Sequence, residues 1–172
     1  MAQTIPRQGS KERKRILERH RAQVRALAYK YLDPRTRELS ESFFEGSIET
    51  FEKMNYEPVL VHGDLTTKNI LVDLDNGKLG GVLDWGDSCI TDPALDFCGL
   101  FEINRRLGHE TLALYPETSR DFLGRIEVYW RMLPYFEILY GIFEGANQIR
   151  NRGVSRLHGR VEAPGLDRDT LG

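Results

Sequence analysis

Residues 59–73 of the chain are VLVHGDLTTKNILVD, and residues 81–97 are GVLDWGDSCITDPALDF. Short runs rich in apolar and β-branched residues favour strands here, at residues 59–61, 69–73 and 80–83. Asn76-Gly77, between the last two runs, is a strong signal for a hairpin turn. The two stretches therefore predict short strands with polar residues placed at their ends.

Three of those polar residues suit one chemistry. Asn69 follows Asp64 by five residues in the loop between two predicted strands, and Asp84 ends the next strand. Amide and carboxylate oxygens from Asn69 and Asp84 suit Mg²⁺ with phosphate oxygens bound to it, while Asp64 can accept a proton from an attacking hydroxyl. Each residue also has an ordinary structural interpretation, as a turn cap, a loop brace or a strand end. Together, their order and spacing indicate phosphoryl transfer.

The same residues resemble the aminoglycoside phosphotransferase family, which has the pattern H-G-D-L-x-x-x-N-I-L, then D-W or D-F, then D-P-x-x-D. Its relatives include macrolide, choline, homoserine and fructosamine-type kinases, all distantly similar to protein kinases. The resemblance implies a phosphotransferase that uses Mg²⁺ and ATP or GTP and acts on a hydroxyl of a small molecule. An aminoglycoside-type antibiotic kinase is the first expectation, and the metabolic or macrolide kinases are alternatives.

Roles follow from this resemblance by position. Asp64 is implied to be the catalytic base, with His62 beside it in the catalytic loop, and Asn69 and Asp84 are implied to bind the metal. Lys68 lies beside the metal position and is a further candidate for contacting a nucleotide phosphate, although the family pattern does not fix a lysine there. Structural roles near the site are implied for three further residues, Gly63, Asp92 and Asp96.

The expected fold is α+β and mostly α, the C-terminal lobe of a protein-kinase-like fold with helices packed around a short β-hairpin. Helical patterns begin at Ser10 and Pro34 and return in the second half of the chain, at about 93–107, 119–132 and 134–150. We expect a loose tail over residues 1–10, the lobe over 11–152 and a frayed tail over 153–172.

A complete kinase of this kind also has an N-terminal lobe with a sheet, a nucleotide-covering loop and a phosphate-binding Lys. The 61 residues before His62 instead have helical patterns. We therefore expect little activity from this chain alone. Three explanations stay open: a fragment of a longer enzyme, a shortened relative that only binds, or a chain completed by self-association or by a partner through an exposed former lobe interface.

Acidic residues in the second half are candidates for binding a cationic acceptor: Asp87, Glu102, Glu137 and Glu144. Glu137 and Glu144 are seven residues apart and are expected to share a helix face. They are alternatively ordinary surface acids balanced by Arg125 and Arg131. Two rival functions remain: a non-catalytic scaffold that keeps the motif only as structure, and a metal-dependent hydrolase that uses Asp64, Asp84 and His62.

Composition limits the other classes of function. The chain has 172 residues and a net charge of −2, so nothing global favours nucleic-acid binding. Basic residues concentrate between residues 7 and 25, where a solvated helix face is the ordinary interpretation and an anionic partner the alternative. Two cysteines form no disulfide framework, and the sequence contains neither a signal-peptide pattern nor a membrane-length apolar run. A cytoplasmic protein is therefore expected.

Overall fold

A computed structural model describes residues 5, 7–53, 56–116 and 120–166 of the chain. Its helices and strands are α1 Ser10–Gln23, α2 Pro34–Lys53, β1 Val59–Val61, β2 Ile70–Val72, β3 Leu79–Val82, β4 Cys89–Thr91, α3 Ala94–Ile103, α4 Arg105–Leu114, α5 Arg120–Phe143 and α6 Asn147–Val161. They divide into two compact units. No helix in this part of the chain has both the length and the apolar character needed to cross a membrane.

The first unit is built around Tyr56–Trp130 and contains all four strands. The antiparallel pair β2–β3 is the predicted hairpin, and Gly77 in its turn has a φ of +68°. Asp73 closes this turn, because its carboxylate accepts the backbone N–H of Asp75 at 3.0 Å. The predicted Asn-Gly hairpin is confirmed.

Strand β4 was not predicted, and it pairs antiparallel with β1, so that Val59 lies opposite Thr91. Residues from the expected loose tail join this pair. Arg7 forms a parallel bridge with Ile90, and the backbone N–H of Gln8 donates to the carbonyl of Ile90 at 2.7 Å. The prediction of a loose tail is therefore wrong for Arg7 and Gln8, since strand pairing satisfies their backbone groups. Residues 1–4 and 6 lie outside the described part.

Helices α3 and α4 replace one predicted helix over residues 93–107. Asn104 separates them with an extended φ of −163°, and its side chain caps α4 by accepting the N–H of Leu107 at 3.2 Å. Asn is a favoured capping residue because its side-chain oxygen satisfies an N–H that the first turn leaves free. Large apolar side chains bury these helices against the start of α5, among them Phe97, Phe101, Phe122 and Ile126.

The second unit combines Ser10–Asn55 with Arg131–Gly165. A π-helical segment, Val24–Ala28, and a short 3₁₀ segment, Tyr29–Tyr31, follow α1. The spacing of apolar residues predicts that α2 buries Leu39, Phe43, Ile48, Phe51 and Met54. The observed buried residues are instead Thr36, Ser40, Phe44, Ser47 and Phe51, whereas Leu39, Phe43 and Ile48 are half-buried. Buried serines are tolerated because the Ser40 and Ser47 hydroxyls donate to helix carbonyls at 2.6 and 2.7 Å. The predicted core residue Met54 lies outside the described part.

Helix α5 passes through Pro134, where a break was expected. Proline removes one helical hydrogen bond, but Met132, Tyr135 and Ile138 around it are fully buried, and their packing outweighs that local cost. The chain turns instead at Gly145, which has a φ of +65°.

The prediction of a frayed tail over residues 153–172 is wrong for residues 153–161, because helix α6 continues to Val161. Leu157 is fully buried, and the Arg131 guanidinium donates to the carbonyls of Arg160 at 2.7 Å and Ala163 at 3.0 Å. These bonds satisfy carbonyls that a helix end otherwise leaves without partners. Residues 167–172 lie outside the described part.

Candidate active site

The loop that connects β1 to β2 begins at His62 and is anchored by α3. Asp96, in the first turn of α3, accepts the backbone N–H of His62 at 2.7 Å and that of Gly63 at 2.9 Å, one with each carboxylate oxygen. Hydrogen bonds to a carboxylate are stronger than those between neutral groups. Asp96 therefore fixes the backbone immediately before Asp64.

The His62 ring is buried, with 2% of the residue exposed. Its Nε2 lies 2.7 Å from the carbonyl of Leu83, which can only accept, so Nε2 carries the proton. Nδ1 then accepts the backbone N–H of Asp64 at 3.3 Å. Both ring nitrogens are thus used on backbone groups, and the ring joins the catalytic loop to the residue before Asp84.

Asp64 and Asn69 contact each other directly. The Asn69 side-chain nitrogen donates to the Asp64 carbonyl at 2.8 Å and to its carboxylate Oδ2 at 3.1 Å. Asn69 is buried and Asp64 is exposed. Because both bonds use the amide nitrogen, the Asn69 Oδ1 is left to accept from another donor or to bind a cation.

Asp84 is joined to this pair through its neighbour. The Leu83 N–H donates to the backbone carbonyl of Asn69 at 2.8 Å, and Asp84 follows in the left-handed region with φ 59° and ψ 66°. That conformation is uncommon outside glycine and is found preferentially at functional sites. The exposed carboxylate of Asp84 therefore leaves the strand beside Asn69 at a backbone turn that the surrounding structure imposes.

The turn after Asp84 packs on the catalytic loop. Gly63 has a φ of +87°, and a Cβ there would lie 2.4 Å from the carbonyl oxygen of Asp87. Only glycine permits both this φ and this approach. Trp85 contacts the His62 ring with a centroid separation of 4.8 Å and remains half exposed. The turn that carries Trp85 and Asp87 therefore packs on His62 and Gly63, the two residues before Asp64.

The oxygen atoms of Asn69 and Asp84 fit Mg²⁺, which is commonly bound by one or two protein oxygens together with water and substrate phosphates. Among the described residues, no group of three or more His, Cys, Asp or Glu side chains is placed to hold a metal ion by itself. A Mg²⁺ ion held by Asn69 and Asp84 would need further ligands, such as water or phosphate oxygens.

Behind the site, Asp92 is fully buried before α3. It accepts from the Arg125 guanidinium at 2.9 Å, from Tyr129 at 3.3 Å and from the backbone of Ala94 at 3.1 Å. Burial raises the pKa of Asp92, and the Arg125 charge opposes that rise. Arg125 was expected to balance surface acids, and it is instead a buried partner of Asp92. No local pattern in the sequence indicated this pairing across 33 residues.

The remaining predicted residues are more dispersed. Lys68 is exposed next to Asn69, and Glu102 is exposed on α3. Glu137 belongs to the second unit, where its carboxylate pairs with Arg152 at 3.3 Å and with Arg156. Glu144 directly follows the end of α5, and its N–H donates to the carbonyl of Tyr140 at 2.9 Å.

This mostly helical fold with short antiparallel strand pairs is that of the C-terminal lobe of a kinase-like phosphotransferase. Residues 3–133 match the model of the phosphotransferase enzyme family, and the chain belongs to that family.

Individual proteins share part of the sequence or the fold. A 38-residue segment is 50% identical to the uncharacterized protein YcbJ of Bacillus subtilis strain 168, covering 22% of this chain and 12% of that protein. The GDP and kanamycin complex of APH(2")-IIia superimposes with a TM-score of 0.80 at 22% identity, covering 91% of this chain and 53% of that one. Macrolide 2'-phosphotransferase type I superimposes with a TM-score of 0.70 at 16% identity, covering 89% of this chain and 50% of that one. The chain spans about half the length of these solved structures, and the fold is that of their C-terminal lobe.

Proposed function

We propose that this chain provides the catalytic loop and metal ligands of a phosphotransferase that transfers the γ-phosphoryl group of ATP or GTP to a hydroxyl of a small molecule. The carrying observation is the bonding of Asn69 to Asp64 through its nitrogen, which leaves Oδ1 for a cation beside Asp84. Family membership supports the reaction class. Nucleotides in related structures, GDP in one and ADP in another, support the donor.

Asp64 is the proposed base. The bond from Asn69 holds Oδ2, so Oδ1 of Asp64 can accept the proton of the acceptor hydroxyl. The hydroxyl oxygen forms the new bond to the γ-phosphorus, the bond from that phosphorus to the bridging oxygen breaks, and the nucleoside diphosphate leaves. Bound Mg²⁺ supplies charge neutralisation at the phosphates.

The other residues act by holding these groups. Asn69 and Asp84 would hold the metal. Lys68 directly precedes Asn69 and is exposed, so its ammonium group could contact a phosphate bound to that metal. His62, Gly63 and Asp96 position the loop, because their hydrogen bonds all involve backbone groups. His62 therefore has a positioning role in this proposal, whereas the rival hydrolase would need one of its ring nitrogens as a ligand.

For the acceptor, we propose a hydroxylated cationic molecule of the aminoglycoside type. Asp87 supports this choice because its turn lies against the catalytic loop and its side chain is exposed. Glu102, in the same unit as Asp87, is exposed as well. Glu137 and Glu144 belong to the second unit, where Glu144 is exposed and Glu137 pairs with Arg152 and Arg156. A macrolide acceptor is the alternative, supported by the similar macrolide 2'-phosphotransferase.

We further propose that efficient turnover requires a nucleotide-binding lobe in addition to these 172 residues. The solved relatives are about twice as long as the matched region. Positioning of two reactants accounts for a large part of enzymatic rate enhancement, and metal ligands alone supply little of it. We therefore expect weak nucleotide binding and slow phosphoryl transfer from the polypeptide by itself.

Calorimetric titration with Mg²⁺-ATP and Mg²⁺-GTP tests the proposal. Asp84→Ala should weaken binding roughly tenfold or more. The matched control is Asp75→Ala, which removes another exposed carboxylate from the same unit, in the β2–β3 turn, and should leave binding unchanged. Equal binding by Asp84→Ala and wild type would contradict the metal assignment. Absent binding in a folded wild-type chain would favour the scaffold, and tight transition-metal binding without nucleotide would favour the hydrolase.

A further inference from the structure

Helix α3 contacts the catalytic loop at a second point, one turn after Asp96. A Cβ on Gly99 would lie 1.9 Å from the carbonyl oxygen of Leu65 and 3.0 Å from its carbonyl carbon. Both atoms belong to the loop backbone. The residue immediately after Asp64 is therefore packed directly on the helix, at a distance that any side chain at position 99 would prevent.

We propose that Gly99 is a positioning residue for Asp64, an inference that rests on the proposed phosphotransferase function. Asp96 and Gly99 are three residues apart and share a face of α3. Asp96 binds the backbone of His62 and Gly63, and Gly99 receives Leu65. Asp64 is thus held between two contacts made by one helix turn.

A methyl group at position 99 cannot be accommodated by rotating a side chain, because the opposing atoms are backbone. The loop has to move away from α3. Since the Asp64 carbonyl directly precedes Leu65 and accepts from the Asn69 side chain at 2.8 Å, this movement disturbs the bond that orients the Asn69 amide. The expected consequence is a misplaced base and a weakened metal ligand.

Amide NMR of Gly99→Ala tests the displacement without any assay of activity. We expect chemical-shift changes from His62 to Asn69 in addition to those within α3. The matched control is Gly124→Ala, another helical glycine of the same unit, where an added Cβ meets nothing within 4 Å. It should leave the loop signals in place and stabilise α5 slightly. Shift changes confined to α3, or an unfolded Gly99→Ala chain, would overturn the proposal.

Titration with Mn²⁺ in the presence of GTP separates positioning from general stability. Gly99→Ala should bind Mn²⁺ roughly ten- to a hundredfold more weakly, as expected when a partner of a metal ligand is disturbed. Leu112→Ala removes a buried side chain of α4 and should lower the unfolding temperature while leaving Mn²⁺ affinity unchanged. Equal Mn²⁺ affinity in Gly99→Ala and wild type would overturn the positioning role. If the wild type binds no Mn²⁺, the proposed function fails, and the amide shifts still decide whether Gly99 positions the loop.

Discussion

Replacing Arg125 with Met would leave the Asp92 carboxyl buried without its ionic partner. The two groups are 2.9 Å apart, and their side chains are 2% and 0% exposed. At that separation two unit charges attract by about 6 kcal/mol at an effective dielectric constant of about 20. Burial of both ions offsets much of this attraction, so the expected loss is about 3–5 kcal/mol, the range for breaking one side of a buried pair.

Urea and thermal unfolding at pH 7 measure this loss. For a chain of this size each kcal/mol corresponds to about 2–4 °C, so the midpoint should fall by about 6–20 °C. Arg106→Met is the matched control, since Arg106 forms an exposed pair with Glu110 in α4, and it should leave the midpoint unchanged within error. Asp92→Asn combined with Arg125→Met should recover part of the loss, because the uncompensated charge is then absent.

The loss should also depend on pH in a defined direction. Burial raises the pKa of Asp92 above its ordinary value of 3.8 even with Arg125 present, and removing the guanidinium raises it further. A carboxyl whose pKa is higher in the folded than in the unfolded protein stabilises the folded state at low pH. This contribution is lost as the pH rises through the pKa of that group in the folded protein. The difference in free energy of unfolding between Arg125→Met and wild type should therefore decrease as pH falls from 7 toward 5. A difference in unfolding free energy below about 1 kcal/mol at pH 7 would refute the stability assigned to the Arg125–Asp92 pair. A difference that increases as pH falls would refute it as well.

Two further substitutions test other parts of the structure. Glu41→Gln should destabilise the second unit by about 1 kcal/mol, discounted for solvent screening. Glu41 accepts hydrogen bonds from Arg25, Arg21 and Tyr29, and the bond from Arg25 contributes most to lowering the pKa of Glu41 to about 2. The free energy of unfolding, measured from pH 6 to pH 2, should differ fully between variant and wild type above pH 4.5 and not at all near pH 2, and a difference that stays constant would contradict this prediction. Gly63→Ala should unfold at lower urea concentration than Gly77→Ala. Both glycines have a positive φ, but a Cβ at position 63 would lie 2.4 Å from the Asp87 carbonyl oxygen, whereas one at position 77 would meet nothing within 4 Å. Equal midpoints would show that this close approach has no energetic consequence.

The sequence predicted those parts of the site that depend on short stretches. Asp64 and Asn69 lie in the loop between β1 and β2, and Asp84 follows β3, so the hairpin formed by the Asn-Gly turn connects Asn69 to Asp84. Their placement needed only local geometry and the family pattern. The contact of Asn69 with Asp64 joins two residues of one loop that are five positions apart.

Features that depend on distant residues could not be predicted in this way. Strand β4 pairs with β1 and with Gln8, which are distant from it in the sequence. Arg125 reaches Asp92 only after α3 and α5 have packed. Helix α5 continues through Pro134 because tertiary burial outweighs a local preference, and the same competition shifts the buried face of α2 toward its serines.

Paramagnetic broadening by Mn²⁺ in the presence of GTP tests the central claim most directly. The side-chain amide of Asn69 should lose its NMR signal at substoichiometric Mn²⁺, because its Oδ1 is the proposed ligand. Asn76 is an internal control, since its side chain lies in the β2–β3 turn and donates to the carboxylate of Asp73, a competing acidic location. Selective loss of the Asn69 signal is the predicted result. Broadening of Asn76 while Asn69 remains sharp would contradict the assignment of Asn69 and Asp84 as the metal ligands.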